Sequence, residues 1–427
     1  MLDDRPKLGY RIYQVRIINL MESINGFVQY SMVRPMQRYR TVFKDESKLD
    51  IAYVPPRLVH RENEYRLLWE FFRYALEAPG RMSQRILITG RVGTGKTALS
   101  QRFGMNMQEE ARRRNINLHY LHVNCRENRG KFFLILLNAL LHFKPNFPRR
   151  GLSSEELLYA LMDILDEENA YLILALDEFE SLILAEGTEP IYKLTRMQEA
   201  RLGKPLRLSL ICILRTLEPL EKLDESTRST LQRNIIHLEE YSKSQLIDII
   251  GDRVEMAFHE GTVPEETIEV IAELAEREGG NARYAIELLW RAGKYADANG
   301  FPEVYPECVR MATASIYPTV RKDEILSLNK HQQLLLLAIA RTFNQNPKAY
   351  ATMGEIEQVY RVICEEYGQK PKSHTQIWKY IRQLSAIGII DAKISSTGQK
   401  GKTTLIGLHQ IPASKLEETL SQALKCD

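Results

Sequence analysis

The stretch that most restricts what this chain can fold into is Gly90-Arg91-Val92-Gly93-Thr94-Gly95-Lys96-Thr97. It follows directly on Arg85-Ile86-Leu87-Ile88-Thr89, a short β-branched apolar run, and leads into a helical pattern from Ala98 to Met107. The order is strand, loop, helix. Glycines let successive backbone N–H groups turn inward around an oxygen-rich anion, and the new helix adds its positive N-terminal end. Phosphate is the natural guest. Lys96 reaches β- and γ-phosphates as a point charge, and the Thr97 hydroxyl is placed to ligate the Mg²⁺ that neutralises them. Gly90, Val92, Gly93, Thr94, Gly95, Lys96, Thr97 and Ala98 are therefore the candidate contacts to ATP or ADP. A chance glycine-rich turn would lack the complete pattern in this setting.

A second run, Tyr171-Leu172-Ile173-Leu174-Ala175-Leu176, ends in Asp177-Glu178, at the strand edge where open α/β sheets place ligands. Asp177 is the second candidate metal residue, holding Mg²⁺ through water, and Glu178 is the candidate base that polarises an attacking water. The alternative for such a pair is a helix N-cap. Upstream, Tyr53-Val54-Pro55-Pro56-Arg57-Leu58 stiffens the approach to a helix over Glu64–Ala78 and is placed to lie over an adenine. Downstream, Leu206–Leu214 reads as another buried strand, and Gly279-Gly280-Asn281-Ala282-Arg283 opens a helix over Tyr284–Ala292. A cation at a helix start opposes the local dipole, so Arg283 calls for a partner anion.

Length and composition set the bounds. At 427 residues the chain exceeds one compact core and suits two or three domains. With 44% hydrophobic and 26% charged residues it reads as globular rather than disordered. Apolar stretches such as Leu334–Ala340 fall well short of the roughly 20 residues that span a bilayer. Met1–Pro6 is too charged for a secretory leader, so a cytoplasmic protein without a membrane segment is expected. The five cysteines, Cys125, Cys212, Cys308, Cys364 and Cys426, show no CxxC spacing and are expected to be reduced. A net charge of +3 does not announce nucleic acid, so any such reading must rest on where the charge lies.

That charge gathers near the C-terminus. Helical patterns over Lys330–Phe343, Met353–Tyr367 and Ser373–Ile387 precede two β-like runs, Ile389–Ser395 and Thr403–Leu408, in the order of a winged helix. The third helix turns Ile377, Tyr380, Ile381 and Leu384 to one face and leaves Ser373, His374, Gln376, Lys379 and Arg382 for solvent or base edges. Gln399, Lys400 and Lys402 lie on a glycine-flanked hairpin tip, Ser396–Lys402, suited to backbone phosphates. From Gln369 to Lys402, Lys370, Lys372, Lys379, Arg382, Lys393, Lys400 and Lys402 face Asp391 alone. The alternative is a solvated surface on a protein-binding winged helix. A second basic tip, Lys144-Pro145-Asn146-Phe147-Pro148-Arg149-Arg150, joins helices over Lys131–Phe143 and Ser153–Leu165, and is either a further DNA contact through Lys144, Arg149 and Arg150 or a solvated loop.

Taken in order, Tyr53-Val54-Pro55, His60-Arg61-Glu62, the glycine loop, Val123-Asn124-Cys125, Leu176-Asp177-Glu178, Tyr241 with Arg253 and Ala257-Phe258, and Gly280-Asn281-Ala282-Arg283 resemble the archaeal origin-recognition/Cdc-six initiator family, from about Val42 to about Leu420. The resemblance implies an α/β AAA+ base at 42–238, a helical lid at 239–320 and a winged-helix DNA-binding domain at 325–427, after an N-terminal extension at 1–41. It implies an initiator that binds double-stranded origin DNA under ATP control, with the replicative helicase and paralogous subunits as partners. It also implies that Arg283 touches the γ-phosphate from the lid and that Val59, His60 and Arg61 lie near the adenine. Two positions depart from the family. Arg215 stands where an Asn is usual after the fourth strand, and Leu223-Asp224-Glu225-Ser226 lacks the final arginine of Leu-Asp-x-Arg, with Arg228 two residues late. Slow or lost hydrolysis follows from these, and nucleotide binding carries more weight than turnover. A nucleotide-gated transcription regulator of the same architecture is the alternative. A protein-threading ring is disfavoured, because Arg126-Glu127-Asn128-Arg129-Gly130 has no aromatic–hydrophobic–Gly pore loop. Residues 1–41 receive no function: Tyr10–Ile17 alternates like a strand, and Arg34, Arg38 and Arg40 make the end basic.

Overall fold

A computed structural model describes residues 41–199, 201, 203–316, 325, 327–346, 348–395, 403–408 and 411–425. The expected strand at Tyr10–Ile17, the basic residues Arg34, Arg38 and Arg40, and the hairpin tip with Gln399, Lys400 and Lys402 lie outside the described residues. The chain divides into Met1–Thr41 and Val42–Asp427, and the architecture below is that of the second unit.

In chain order the base comprises α1 (Glu62–Glu77), β1 (Arg85–Thr89), α2 (Lys96–Arg113), β2 (Leu118–Asn124), α3 (Phe132–Phe143), α4 (Ser154–Glu167), β3 (Tyr171–Asp177), α5 (Glu180–Glu186), α6 (Thr188–Arg196), β4 (Leu208–Leu214), α7 (Glu225–Leu231) and β5 (Ile235–His237). The strands form one parallel sheet in the order β2-β3-β4-β1-β5. The central strands are covered on both faces, which is why β1, β3 and β4 read as mostly unbroken apolar runs rather than alternating ones. The pleat still sorts the side chains. Ile86, Ile88 and Ile173 meet Phe72 of α1 and Phe103 of α2 on one face, while Leu87, Leu172, Leu174 and Leu210 meet α3, α4 and α5 on the other. A parallel sheet aligns all strand C-termini on one edge, so the glycine loop after β1 and Asp177 at the end of β3 arrive together.

The lid holds α8 (Lys243–Ala257), α9 (Glu265–Arg277), α10 (Ala282–Asn299) and α11 (Pro306–Ile316). A capping box between Ser242 and Gln245 fixes the start of α8, satisfying two backbone donors that the helix itself cannot. Val42, Phe43 and Leu49 pack into this helical core rather than against the sheet. Phe43 stacks on Phe258 at 4.8 Å, and the Val42 N–H donates to Asp297 at 2.8 Å. Gly293 makes this possible, since a Cβ there would lie 2.5 Å from the Phe43 ring.

The C-terminal portion holds α12 (Lys330–Gln345), β6 (Tyr350–Thr352), α13 (Met353–Glu366), α14 (His374–Ala386), β7 (Asp391–Ser395), β8 (Thr403–Gly407) and α15 (Ala413–Lys425). The antiparallel sheet runs β6-β8-β7. Ile377, Ile381 and Leu384 of α14 are buried as their spacing predicts, in one core with Leu416 and Leu420 of α15. The short β6 and the helix α15 were not read from the sequence. β6 gains strand geometry only by pairing with β8, a partner more than fifty residues away.

Lid and winged helix are joined by a buried charge. Arg310 of α11 is fully buried, and its guanidinium donates to the Lys348 carbonyl at 2.6 Å, to the Leu408 carbonyl and to Glu307 at 2.8 Å. It also lies over the Phe343 ring at 4.5 Å, and Glu307 accepts the Ala413 N–H at 3.2 Å. A second seam links α9 to the small sheet: Tyr350 donates to Glu273, and Arg277 meets Asp391 at 2.9 Å. Among the described residues no helix is long and apolar enough to cross a membrane. Cys125, Cys212, Cys308 and Cys364 are free and buried, and burial pushes their thiols upward.

Removing one partner of a buried ionic network strands the others, at a cost of about 3–5 kcal/mol. Arg310→Ala should therefore lower unfolding stability by that order in denaturant titrations of the full chain. A loss under about 1 kcal/mol, typical of an ordinary surface substitution, would remove Arg310 as the joint.

Candidate nucleotide site and nucleic-acid surface

The glycine loop crosses from β1 to α2 at the carboxyl edge of the sheet. Gly93 has φ +81, and a Cβ there would sit 1.9 Å from Asn281 Oδ1 of the lid. The lid thus reaches the loop directly: Asn281 caps α10, and the Ala282 N–H donates to the Gly93 carbonyl at 3.2 Å. Lys96 Nζ donates to the Gly90 carbonyl at 2.5 Å and to the Arg91 carbonyl at 2.7 Å. Burial pushes this ammonium down to about 8, with Arg215 and Arg283 adding to the effect against Asp177 and Glu180. Loop and carboxylate meet where Thr97 Oγ1 donates to Asp177 Oδ2 at 2.7 Å. Burial raises the Asp177 carboxyl, but hydrogen bonds from His122 and Thr97 outweigh it and leave the group below its ordinary value. A hydroxyl and an ionised carboxylate side by side are hard oxygen donors of the kind Mg²⁺ takes, so Thr97 and Asp177 fit that ion.

These residues open on a cavity of about 790 Å³, within the range of small-molecule sites. Its wall takes Val92, Gly93, Gly95, Lys96, Thr97 and Ala98 from the loop, Val59 from the proline-stiffened segment, Asp177 and Glu178 from β3 and its end, and Arg283 from α10. The geometry brings these candidates together. Gly90, Thr94, His60 and Arg61 are not on the wall. Thr94 is fully buried and donates to the Arg91 carbonyl at 2.9 Å. His60 pairs with Asp248 of α8 at 2.7 Å. Arg61, at 4% exposure, donates to the Thr94 carbonyl at 3.1 Å, to the Tyr241 hydroxyl at 2.9 Å and to the Glu239 carbonyl at 2.5 Å. These bonds tie its guanidinium to the backbone of the loop and of the segment before α8.

Glu178 stands between cations. Arg126 lies 3.6 Å from its Oε2 and Arg215 lies 3.8 Å from its Oε1, while Arg215 also meets Glu180 at 3.6 Å. Its backbone has φ +47, the left-handed region that a β-carbon disfavours. At the other departure, Asp224 caps α7 through the Thr227 N–H at 2.9 Å, and Ser226 accepts from Arg196 at 2.8 Å. His122, Glu180 and Tyr241 also line the cavity, and sequence reading did not single them out as site residues. For His122 a signal existed: it precedes Asn124 by two residues in a strand, which puts both on one face.

On the winged helix, Lys372, Ser373, Lys379 and Arg382 are exposed, and Gln376 is half-buried. His374 is exposed, with its Nδ1 bonded to Glu357. Trp378, 41% exposed beneath the Arg382 guanidinium at 4.8 Å, was missed because helical periodicity alone did not mark it. Lys393 turns away from this face, reaching Glu273 at 3.5 Å and the Tyr350 ring at 3.6 Å, so it leaves the basic cluster. At the other tip, Arg149 and Arg150 are exposed, whereas Lys144 is paired with Glu168 at 2.6 Å.

Comparison with known proteins agrees with this arrangement. Family models described as an AAA domain, a Cdc6 AAA+ ATPase-type lid domain and a CDC6 C-terminal winged helix domain match residues 81–216, 247–314 and 323–418. Fold and site together define an AAA+ protein carrying a winged helix. The chain is 37% identical over 381 residues to the ORC1-type DNA replication protein 2 of Sulfolobus acidocaldarius, which spans 88% of this chain and 91% of that one. Its structure is similar to Cdc6p from Pyrobaculum aerophilum, with TM-score 0.78, 29% identity and coverage of 90% and 99%. It is also similar to the Aeropyrum pernix ORC1 protein in complex with DNA, with TM-score 0.60, 28% identity and coverage of 90% and 97%. The chain belongs to the archaeal Orc1/Cdc6 initiator family, as the order of its motifs implied.

A phosphate bound beside Lys96 would raise its pKa above the value of about 8 in the free protein, so that above about pH 8 binding would take up a proton. Affinity for inorganic pyrophosphate should accordingly fall as pH rises through that value. Calorimetry in buffers of different ionisation heat reads the proton directly. Absence of uptake at a pH just above it would mean that Lys96 does not face the anion.

Proposed function

We propose that this protein is an ATP-dependent replication initiator that binds origin double-stranded DNA and helps recruit the replicative helicase, with paralogous initiators as further partners. The observation that carries the reading is structural continuity. Arg283 enters the cavity from the lid, the lid backbone touches the glycine loop, and Arg310 ties the same lid to the winged helix. A ligand that favours one lid position therefore acts on the DNA-binding end through a joint that is charged, buried and hard to rearrange. The domains of this reading are the base at 42–238, the lid at 239–320 and the winged helix at 325–427.

ATP or ADP occupies the cavity with its phosphates on the loop from Gly90 to Ala98 and its base toward Val59. Lys96 from the loop and Arg283 from the lid would meet the phosphates, and Thr97 and Asp177 would hold Mg²⁺. When bound, the ion would supply neutralisation of phosphate charge. Glu178 would be the base for water, but Arg126 and Arg215 stand 3.6 and 3.8 Å from its two oxygens, where an attacking water would have to approach. Slow turnover follows, and the bound nucleotide acts chiefly as a switch. On the DNA side, Lys379 and Arg382 of α14, with Lys372, Ser373, His374 and Gln376, approach the major groove. Gln399, Lys400 and Lys402 approach backbone phosphate, and Lys144, Arg149 and Arg150 make a second contact from the base.

Lys96→Ala should abolish tight ATP and ADP binding in calorimetry while the protein stays folded, and unchanged affinity would overturn the nucleotide reading. For DNA, fluorescence anisotropy on origin and random duplexes across a salt series separates two roles. Arg382→Ala should cost about 1–3 kcal/mol on the origin duplex alone. Lys400→Ala should weaken both duplexes alike and lower the salt slope by roughly one. If neither substitution changes affinity on either duplex, the winged helix does not grip DNA.

A further inference from the structure

β2 lies beside β3 in parallel register, with His122 opposite Ala175 and Asn124 opposite Asp177. His122 and Asn124 therefore share a strand face, and both reach the cavity. His122 Nε2 is 3.1 Å from Asp177 Oδ2, the same oxygen that accepts the Thr97 hydroxyl at 2.7 Å. The other oxygen, Oδ1, accepts the Glu178 N–H at 2.8 Å. A carboxylate offers roughly four lone-pair positions, so this chain's own donors fill most of them and fix the plane of the group. The imidazole side chain is only 21% exposed and the carboxylate 10%, so solvent competes little for this bond.

We propose that His122 is a positioning residue of the magnesium site, its Nε2–H holding the Asp177 carboxylate turned toward Thr97 so that the metal–nucleotide complex meets both oxygen donors already oriented. The inference rests on the reading of the cavity as a nucleotide–magnesium site and adds a residue to it. A carboxylate that holds the metal, here through water, must be ordered at the moment of binding if its rotamer is not already fixed. Partners that do this in advance typically govern metal affinity by about 10–100-fold. The effect is confined to the metal. His122 acts through Asp177, whereas the phosphates are held by the loop and Lys96, so nucleotide bound without metal should not sense the imidazole.

The test uses the full chain with ADP and Mn²⁺, whose free and bound forms are distinguished by electron paramagnetic resonance. His122→Phe keeps a planar ring of similar size and removes the donor, and His122→Gln restores an N–H at comparable reach. The expected result has three parts. ADP affinity in chelator stays within about two-fold of the unsubstituted protein in both variants. Mn²⁺ affinity of the protein–ADP complex falls about 10–100-fold in His122→Phe. It recovers to within a few-fold in His122→Gln. Unchanged Mn²⁺ affinity in His122→Phe would overturn the proposal, as would equal loss in both variants, since that reflects packing rather than the donor. Failure of the unsubstituted protein to bind ADP at all would instead strike the nucleotide reading beneath it.

Discussion

The site depends on one buried guanidinium. Arg61 reaches the Thr94 carbonyl inside the glycine loop, the Glu239 carbonyl where the base gives way to the lid, and the Tyr241 hydroxyl, and it lies over the Tyr241 ring at 4.0 Å. A charge this deep is tolerable only because its donors are satisfied. The same bonds tie loop, hinge and lid into one polar network, in which each member's position constrains the others. Placed in this way, the lid can offer Asn281, Ala282 and Arg283 to the loop without an intervening linker.

Inside the cavity, cations stand close to the groups that face it. Lys96 is partly engaged by loop carbonyls, and Glu178 is flanked by two arginines. Arg215 reaches both Glu178 and Glu180, at 3.8 and 3.6 Å, so one guanidinium is shared by the two carboxylates after β3. At the far end, the fully buried Arg310 holds the winged helix to the lid through bonds that are costly to break, and the partly exposed Glu273–Arg277–Asp391 seam adds a second link. Lid and winged helix are thus joined by direct contacts that start from the cavity wall at Arg283 and end at Lys348 and Leu408.

The sequence by itself determined much of the nucleotide site, because its parts are local. The loop pattern fixes backbone shape through its glycines, and the apolar runs ending in Thr89 and Asp177 place their ends on one edge as soon as the sheet is parallel. The first three helices and two β-runs of the winged helix were likewise legible, since each buries one face at its own period. Tertiary structure decided what depends on distant partners. It took Val42 and Phe43 into the lid core, made β6 a strand by pairing it with β8, turned Lys393 toward Glu273, and tied Arg61 to the Thr94 carbonyl of the loop. The physical reason is that a charged side chain's role is set by which carbonyls and carboxylates fold around it, and those come from residues too far along the chain for periodicity or spacing to encode.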